Sequence, residues 1–277
     1  MDLTIVIVSF KSGDILHRCL KSIDKKYPII IIENSKDVKL KNELEKIYTN
    51  VKCILPEKNL GYGAGNNLGI NIAKTKYVLT LNPDTILYEN TISNLLEQAN
   101  LIEDFALLGP KVINNESDVT DIKAKSEPVD YIKGFAIFFN KEKFYKIGYF
   151  DENYFLYFEE IDLCKKIVNS NNKIYLVNNA LIKHIGGKSH ENKYEFEMEL
   201  SRNWHWMWSS FYFYKKNHNF IFALVKISKK FVTSLIKIIY YTLNLNQNKR
   251  KIYFQRLSGI TNSILGKKSW YRPKFDD

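Results

Sequence analysis

Between residues 3 and 101 short β-branched runs alternate with helical patterns, and that alternation leaves few folds open to the chain. Leu3–Phe10 reads as a buried strand and Asp14–Lys25 as a helix; Ile29–Ile32 is a strand and Lys39–Tyr48 a helix. Val51–Leu55 and Tyr77–Leu81 read as further strands, with helices predicted over Ala64–Ala73 and Thr91–Leu101. Strands and helices at this spacing build βαβ units, and so a doubly wound, mostly parallel α/β sheet flanked by helices. Ligands of such sheets bind beyond the carboxyl ends of the strands. Those ends carry Ser9-Phe10, Glu33-Asn34-Ser35 and Asn82-Pro83-Asp84, polar groups mixed with turn formers.

After about residue 105 the alternation weakens. Phe105–Lys111 is predicted as a strand, 112–128 as a polar loop, and Ile132–Phe139 as a core strand around Gly134. A helix over 159–169 follows, then the strand Lys173–Val177 and the segment Leu181–His184. From Tyr194 onward nearly everything reads as helix. The chain therefore divides into an α/β domain over 1–200, with halves at about 1–110 and 111–200, and a C-terminal helical extension over 201–277. With 45% hydrophobic and 26% charged residues the sequence is that of a folded protein. Cys19, Cys53 and Cys164 are odd in number and widely spaced, which fits structural thiols and excludes a C-x-x-C metal or redox pair. The first residues carry no basic n-region, and no apolar run reaches the roughly 18 residues of a spanning helix. The expectation is a protein of the cytoplasmic side.

Four local patterns carry chemistry. Asp151 to Asp162 holds five carboxylates in twelve residues, interleaved with Tyr and Phe. Either this is a rim where half-buried carboxylates are tuned toward general-base work, or it is a loop entering a helix whose first turn favours Glu159 and Glu160. Gly61-Tyr62-Gly63-Ala64-Gly65 has the wrong spacing and the wrong strand for a dinucleotide fingerprint. Its glycines instead allow close backbone approach to a ligand at a helix N-terminus, or simply a flexible turn. Asp84 follows Pro83 at a strand end, placed for a hard divalent cation shared with phosphate oxygens, or for an Asx-turn. His184 precedes Ile185-Gly186-Gly187 and offers an imidazole to the same ion, or is an ordinary surface or core histidine.

Taken in order, these segments resemble the family 2 inverting glycosyltransferases of GT-A fold, especially their rhamnosyltransferase-like branch, over residues 3 to about 190. Val8-Ser9-Phe10 is similar to the first-strand nucleotide motif, and Glu33-Asn34-Ser35 to an Asp-Asn-Gly/Ala-Ser segment, with Glu for Asp. Asn59 to Asn67 resembles the family's glycine-rich loop, and Leu81-Asn82-Pro83-Asp84 stands where other members have Asp-x-Asp. The run from Ile147 through Cys164 resembles the acceptor-side motif ending in Glu-Asp-x-Asp-Leu, and His184 to Ser189 a late His-x-x-Gly-x-Ser. The resemblance implies that 1–110 is the nucleotide-sugar half and 111–200 the acceptor half of a catalytic domain. It implies donor binding by Ser9, Phe10, Glu33, Asn59, Gly63, Asn67, Asn82 and Asp84, with Glu33 accepting from a pyrimidine imide. It implies an acceptor side made of Gly134, Asp151, Glu152 and Tyr157, and Mg2+ or Mn2+ held by Asp84 and His184. Glu160 would be the base, with Glu159 and Asp162 as alternates. The sequence departs from the family at Asn82, which removes one acidic residue, and at Glu160, where Asp is usual. A dTDP-rhamnose-like donor follows from the branch; a UDP-hexose, UDP-N-acetylhexosamine or UDP-galactofuranose donor, or a silent sugar-nucleotide-binding scaffold, are the rivals.

The charge is concentrated at one end. Residues 201–277 hold 15 Lys/Arg against two Asp/Glu, while the first 200 are near neutral. On a helical wheel of roughly 100° per residue, Lys226, Lys229, Lys230, Thr233, Lys237 and Tyr240 share one side of Phe220–Leu243. Phe220, Leu224, Ile227, Phe231, Leu235, Ile238 and Ile239 share the other. Such a helix lies in a membrane interface or packs on the protein with its lysines in water. Trp204, Trp206, Trp208, Phe211, Tyr212, Phe213 and Tyr214 add rings suited to the headgroup level. The sequence reading is thus an enzyme lying on the inner face of the cell membrane. Its expected partners are a nucleotide-sugar donor, a lipid-linked or glycan acceptor and the anionic membrane surface, with no nucleic acid.

Overall fold

The computed structural model describes residues 2–113, 125–186 and 192–275. Its contacts separate two compact units, Met1–Phe150 with Glu160–Glu191, and Asp151–Glu159 with Asn192–Asp277. The sequence boundary at 200 thus differs from this division in two ways. The second unit begins at Asn192, and it takes in the loop 151–159.

In the first unit β1 (Leu3–Ser9), β2 (Ile29–Glu33), β3 (Val51–Ile54) and β4 (Tyr77–Leu81) form a parallel sheet in the order β3-β2-β1-β4. The sheet continues as β8-β6-β9-β5, made of β8 (Ala136–Asn140), β6 (Leu107–Val112), β9 (Ile174–His184) and β5 (Thr85–Leu87). β8 is antiparallel to β4 and β6, whereas β6 and β9 are parallel, so the sheet as a whole is mixed. β7 (Ser126–Val129) pairs with β9 off this path and tolerates Pro128 at an edge.

Every residue of β2 is buried, as a strand covered on both faces requires. Strand alternation sorts the core into two layers. Leu3, Ile5 and Ile7 pack with Leu16 and Cys19 of α1 (Gly13–Lys21), Leu44 of α2 (Val38–Ile47) and Leu95 of α4 (Thr91–Leu101). Val6 and Val78 face the other way, toward Ile70 of α3 (Tyr62–Ile72), Phe144 of α5 (Lys141–Ile147) and Leu163 and Ile167 of α6 (Glu159–Asn169). α3 lies so close to β1 that a Cβ on Gly69 would stand 2.3 Å from Val6 Cγ1. Cys19, Cys53 and Cys164 are free and buried, and burial pushes each thiol up to about 12.

The structure refines several expected elements. Lys173–Val177 and Leu181–His184 are one strand, with a register shift opposite Pro110/Lys111. The strand expected around Gly134 starts only at Ala136, because the Phe135 carbonyl turns to accept from Asn82 N. β5, β7 and α5 have no counterpart in the sequence reading; each is short and lacks a full period of pattern.

The second unit is built on α7 (Glu195–Asn217), α8 (Phe220–Leu243) and α9 (Gln247–Ile264). Asn219 and Asn246 cap the last two, accepting from Phe222 N and Lys249 N. Met207, Phe211, Ala223, Ile227 and Ile260 form its core. The ring-rich stretch expected at the headgroup level is mostly interior: Trp204, Trp208, Phe211 and Phe213 are buried, and only Trp206 is exposed among the indoles of α7. Trp204 Nε1 donates to Ser258 Oγ and Trp208 Nε1 to the Lys267 carbonyl, so both buried indoles are satisfied.

Candidate active site

The carboxyl ends of β1 and β2 are tied together by a turn that begins at Glu33. This side chain is fully buried. Its Oε1 accepts from Ser35 N and Ser35 Oγ, and its Oε2 accepts from Asp37 N at 2.8 Å. Glu33 thus shapes the turn 33–37. Asn34 N donates to the Ser9 carbonyl, while Asn34 Oδ1 accepts from Leu60 N and Nδ2 donates to the Gly61 carbonyl. Asn59 Oδ1 accepts from Gly61 N, setting up the entry to α3, and Gly63 is buried in its first turn. Ser9 Oγ, at the end of β1, is buried with no hydrogen-bond partner among the described residues, and Phe10 follows half-buried. Asn67 is buried on α3. Its side chain donates to the Phe150 carbonyl and accepts from Phe150 N, acting as a strand-like partner for that segment.

Asp84 and His184, a hundred residues apart, meet because β5 and β9 pair antiparallel with Thr85 opposite His184. His184 Nε2 stands 3.3 Å from Asp84 Oδ1, without a hydrogen bond between them, so this buried carboxylate oxygen has no donor. The imidazole is held flat against the Phe135 ring, 3.7 Å between centroids and 9° between planes. Asn82 lies at the end of β4, its N–H bonded to the Phe135 carbonyl and its own carbonyl accepting from Thr85 N. A buried, donor-less carboxylate oxygen beside a ring nitrogen is a donor set that suits a hard divalent cation. Among the described residues no cluster of three His, Cys, Asp or Glu accompanies it. Gly186 is described, whereas Gly187, Lys188 and Ser189 of the same motif lie outside the described residues.

The carboxylates at the start of α6 differ in access. Glu159 and Asp162 are buried, whereas Glu160 is only partly so. Burial raises the Glu160 pKa above the ordinary carboxylate value, opposed by its own backbone N–H and that of Ile161. Gly134 makes room for it. A Cβ there would lie 3.4 Å from Glu160 Cγ and 3.5 Å from Tyr62 Oη, and Tyr62 Oη donates to the Gly134 carbonyl. The Tyr131 hydroxyl is pushed up to about 12 by burial and then by Glu160. Tyr62, Tyr131 and Phe135 thus shape the site without having been singled out in the sequence. Each is an aromatic in a loop or first turn, where no periodicity marks it.

The expected acceptor-side residues Asp151, Glu152 and Tyr157 fall in the second unit, on a loop laid along α7. Asp151 Oδ2 accepts from Tyr212 Oη at 3.0 Å and Lys216 Nζ at 2.7 Å, and Oδ1 accepts from Asn153. Burial pushes the Asp151 pKa up, but Lys216 and Asn153 outweigh it and hold the carboxyl below its usual range. Glu152 is exposed. Tyr157 and Phe158 both have φ near +70° and set their rings against Trp206. Ser209 Oγ fixes the Leu156 carbonyl, and Phe155 packs between His205 and the Arg272 guanidinium. The aromatics of this segment therefore serve as its anchor to α7.

Sequence and structural comparisons bear on the family and the fold. Over 197 residues the chain is 25% identical to the low-salt glycan biosynthesis hexosyltransferase Agl10 of Haloferax volcanii, spanning 61% of this chain and 62% of that protein. It is 22% identical to an N-acetylglucosaminyl-diphospho-decaprenol L-rhamnosyltransferase of Mycobacterium tuberculosis, over 58% of this chain and 68% of that one. The mannosyltransferase PcManGT of Pyrobaculum calidifontis, solved with GDP-Man and Mn2+, shares the fold at a TM-score of 0.60 and 8% identity, over 96% of this chain and 88% of that one. The GT-A architecture expected from the motifs is the one observed. The model of Glycosyl transferase family 2 matches residues 4–164, from β1 into α6, and the chain belongs to that family.

Proposed function

We propose that this chain is a metal-dependent inverting glycosyltransferase that moves a sugar from a nucleotide donor to a lipid-linked or polysaccharide acceptor. The observation that carries the reading is the pair Asp84 and His184, 3.3 Å apart with a buried carboxylate oxygen lacking a donor. They would hold one divalent cation, Mg2+ or Mn2+, whose charge neutralises the diphosphate as it leaves. Around them the chain supplies position. Ser9 and Phe10, the turn held by Glu33, and the loop 59–63 line the strand ends where a nucleotide would lie, and Glu33 acts through the turn it shapes. Glu160 takes the proton of the acceptor hydroxyl as its oxygen bonds the anomeric carbon and the bond to phosphate breaks on the opposite face. Its partial exposure and raised pKa favour it over the buried Glu159 and Asp162.

A rhamnose donor and a diphospho-lipid acceptor are supported by what the mycobacterial relative is named for. A panel of dTDP-, UDP- and GDP-sugars assayed for donor hydrolysis with Mn2+ tests the whole reading. Turnover of none of them by the wild-type chain would reject it.

Membrane association belongs to the same proposal, and its support is an inverted surface on α8. Ile221, Val225, Val232, Ile236, Ile239 and Leu243 line one side of this helix and are 52–79% exposed. Lys226 and Lys229 are exposed beside them. The apolar side drawn from the sequence is corrected in part: Ile227 is buried and Phe231 and Ile238 half-buried, while Lys230 and Lys237 pack over Trp206 and over Tyr240 and Tyr241. No described helix is long and apolar enough to cross a membrane. An aliphatic stripe flanked by lysines fits the interface of an anionic bilayer.

A further inference from the structure

Within the second unit a cleft of about 410 Å³ opens between Tyr157, Glu199, Arg202, Asn203, Trp206 and Arg256. That size falls among small-ligand sites, which run roughly 300–1,000 Å³. Its cations are unusual. Arg256 Nε is buried with no hydrogen-bond partner, and Arg256 Nη1 reaches only the Asn203 amide oxygen at 3.3 Å. Lys230, half-buried, lies 5.7 Å from the centre of the Trp206 ring, and its one polar contact is Ser210 Oγ at 3.5 Å. Neither cation has a carboxylate within ion-pair distance among the described residues. Arg202 is held by Glu195 through Nη2, which leaves the rest of its donor fork available. Glu199 stands in the wall and pairs with none of them, so Arg202, Lys230 and Arg256 outnumber the two glutamates. Two partly buried cations near each other repel and lose hydration; burial and then Arg256 lower the Lys230 pKa. An anion entering the cleft would relieve both costs at once.

We propose that this cleft is a diphosphate-ester subsite, ligated by Arg256 and Arg202 with Lys230 behind the Trp206 ring, and that it seats the diphosphate of a lipid-linked acceptor. The proposal rests on the transferase reading and deepens its acceptor side. A donor diphosphate already has its own partners at Asp84 and His184. α8 supplies Lys230 from one side and exposes its aliphatic stripe on the other, as a ligand with a polar head and an isoprenoid tail would require.

Calorimetric titration of the full chain in EDTA, with inorganic pyrophosphate and with geranyl diphosphate, tests the proposal. The wild type should bind both, geranyl diphosphate at least as tightly as pyrophosphate. Arg256→Gln and Lys230→Gln should each weaken both by at least tenfold, Arg256→Lys should restore part of the loss, and Asp84→Asn should change neither. Wild-type melting curves for Lys230→Gln separate a lost ligand contact from a lost fold. No binding to the wild type, or binding lost in Asp84→Asn and kept in Arg256→Gln and Lys230→Gln, would overturn the subsite. Geranyl diphosphate bound tenfold more weakly than pyrophosphate would overturn its assignment to a lipid-linked acceptor. Sugar-nucleotide turnover by the wild type is read separately, so an empty cleft with intact turnover sinks this inference alone. A working cleft without any turnover sinks the transferase reading instead.

Discussion

The two units use apolar residues in opposite ways. In the first, aliphatic side chains fill both faces of the sheet, and the charged and polar groups Ser9, Glu33 and Asp84 are buried at or just past strand ends. In the second, aromatic residues of α7 are interior while an aliphatic stripe of α8 stays in solvent. A fold driven only by burial would have covered that stripe, because each Ile or Val left out forgoes roughly 1.5–3 kcal/mol. Buried polar groups in the first unit and exposed apolar groups in the second therefore mark the positions that stability alone does not explain.

The largest effect is expected where the first unit breaks its own rule. Asp84→Ala should lower sugar transfer by roughly 10²–10³-fold in a metal-dependent assay, the scale of losing one electrostatic stabiliser. His184→Ala should fall short of that. Transfer by Asp84→Ala at the wild-type rate would mean the buried carboxylate is structural.

The interior and the stripe of the second unit should separate in denaturant melts. Phe211→Ala, in the core, should cost about 3–5 kcal/mol, whereas Ile221→Ser and Ile236→Ser should stay within about 0.5 kcal/mol. A large loss from the stripe variants would show that α8 is covered in solution, by a second copy for example, and would remove the contrast.

Glu160→Gln should lower kcat roughly a hundredfold with donor affinity nearly intact, since a general base acts as the proton leaves. Because burial raises this pKa, the acid limb of kcat/KM should lie above the ordinary carboxylate range. Activity should rise with pH through the Glu160 pKa as the base ionises, and the limb should vanish in Glu160→Gln. A limb unchanged in that variant would move the role to Glu159 or Asp162.

Flotation with anionic vesicles should fall about tenfold when Ile221, Val232, Ile236 and Ile239 all become Ser. Lys226→Glu and Lys229→Glu should weaken it further, each lysine contributing about 1 kcal/mol near the surface. Lys226 and Lys229 are the exposed lysines beside the stripe, whereas Lys230 and Lys237 pack against rings. Equal recovery on neutral vesicles would break the electrostatic half of the argument.

A pH effect on stability is expected from His205 in the second unit. Burial drives its pKa down to about 3, and Arg272 helps, against the pull of the Tyr271 carbonyl that its Nε2 bonds at 2.9 Å. The folded value lies below the unfolded one, so its contribution is complete above pH 6.5 and is lost as pH falls toward 3. The slope is at most about 1.4 kcal/mol per pH unit. Urea melts between pH 7 and 4 should show this slope, reduced in His205→Gln. An identical slope in that variant would place the acid sensitivity elsewhere.

Much of the sheet was legible because its strands are short and β-rich: Ile29–Ile32 is a continuous apolar run and Tyr77–Leu81 is broken only by Thr80, as strands buried on both faces read. Asp84 and His184 were legible as candidates from their places at strand ends, and their meeting follows from the β5–β9 register. The role of Glu33 was not legible. Its chemistry suits a base edge, but Ser35 and Asp37 are near enough in the chain to claim both oxygens first. The anchoring of the stretch 151–158 on α7 was not legible either, since rings that serve a site and rings that anchor a loop look the same in one dimension.

The sequence alone determined the doubly wound α/β half, the order of its motifs and the basic charge of the last quarter, because periodicity and composition are local properties. Only the tertiary structure decided which carboxylate shapes a turn and which lacks a donor, which face of α8 remains outside, and that Arg256 lines a cleft, with Lys230 beside the Trp206 of its wall, neither cation having a carboxylate within ion-pair distance among the described residues. Those outcomes depend on pairings between residues far apart in the chain, and burial is a property of the packed whole that no window of sequence contains.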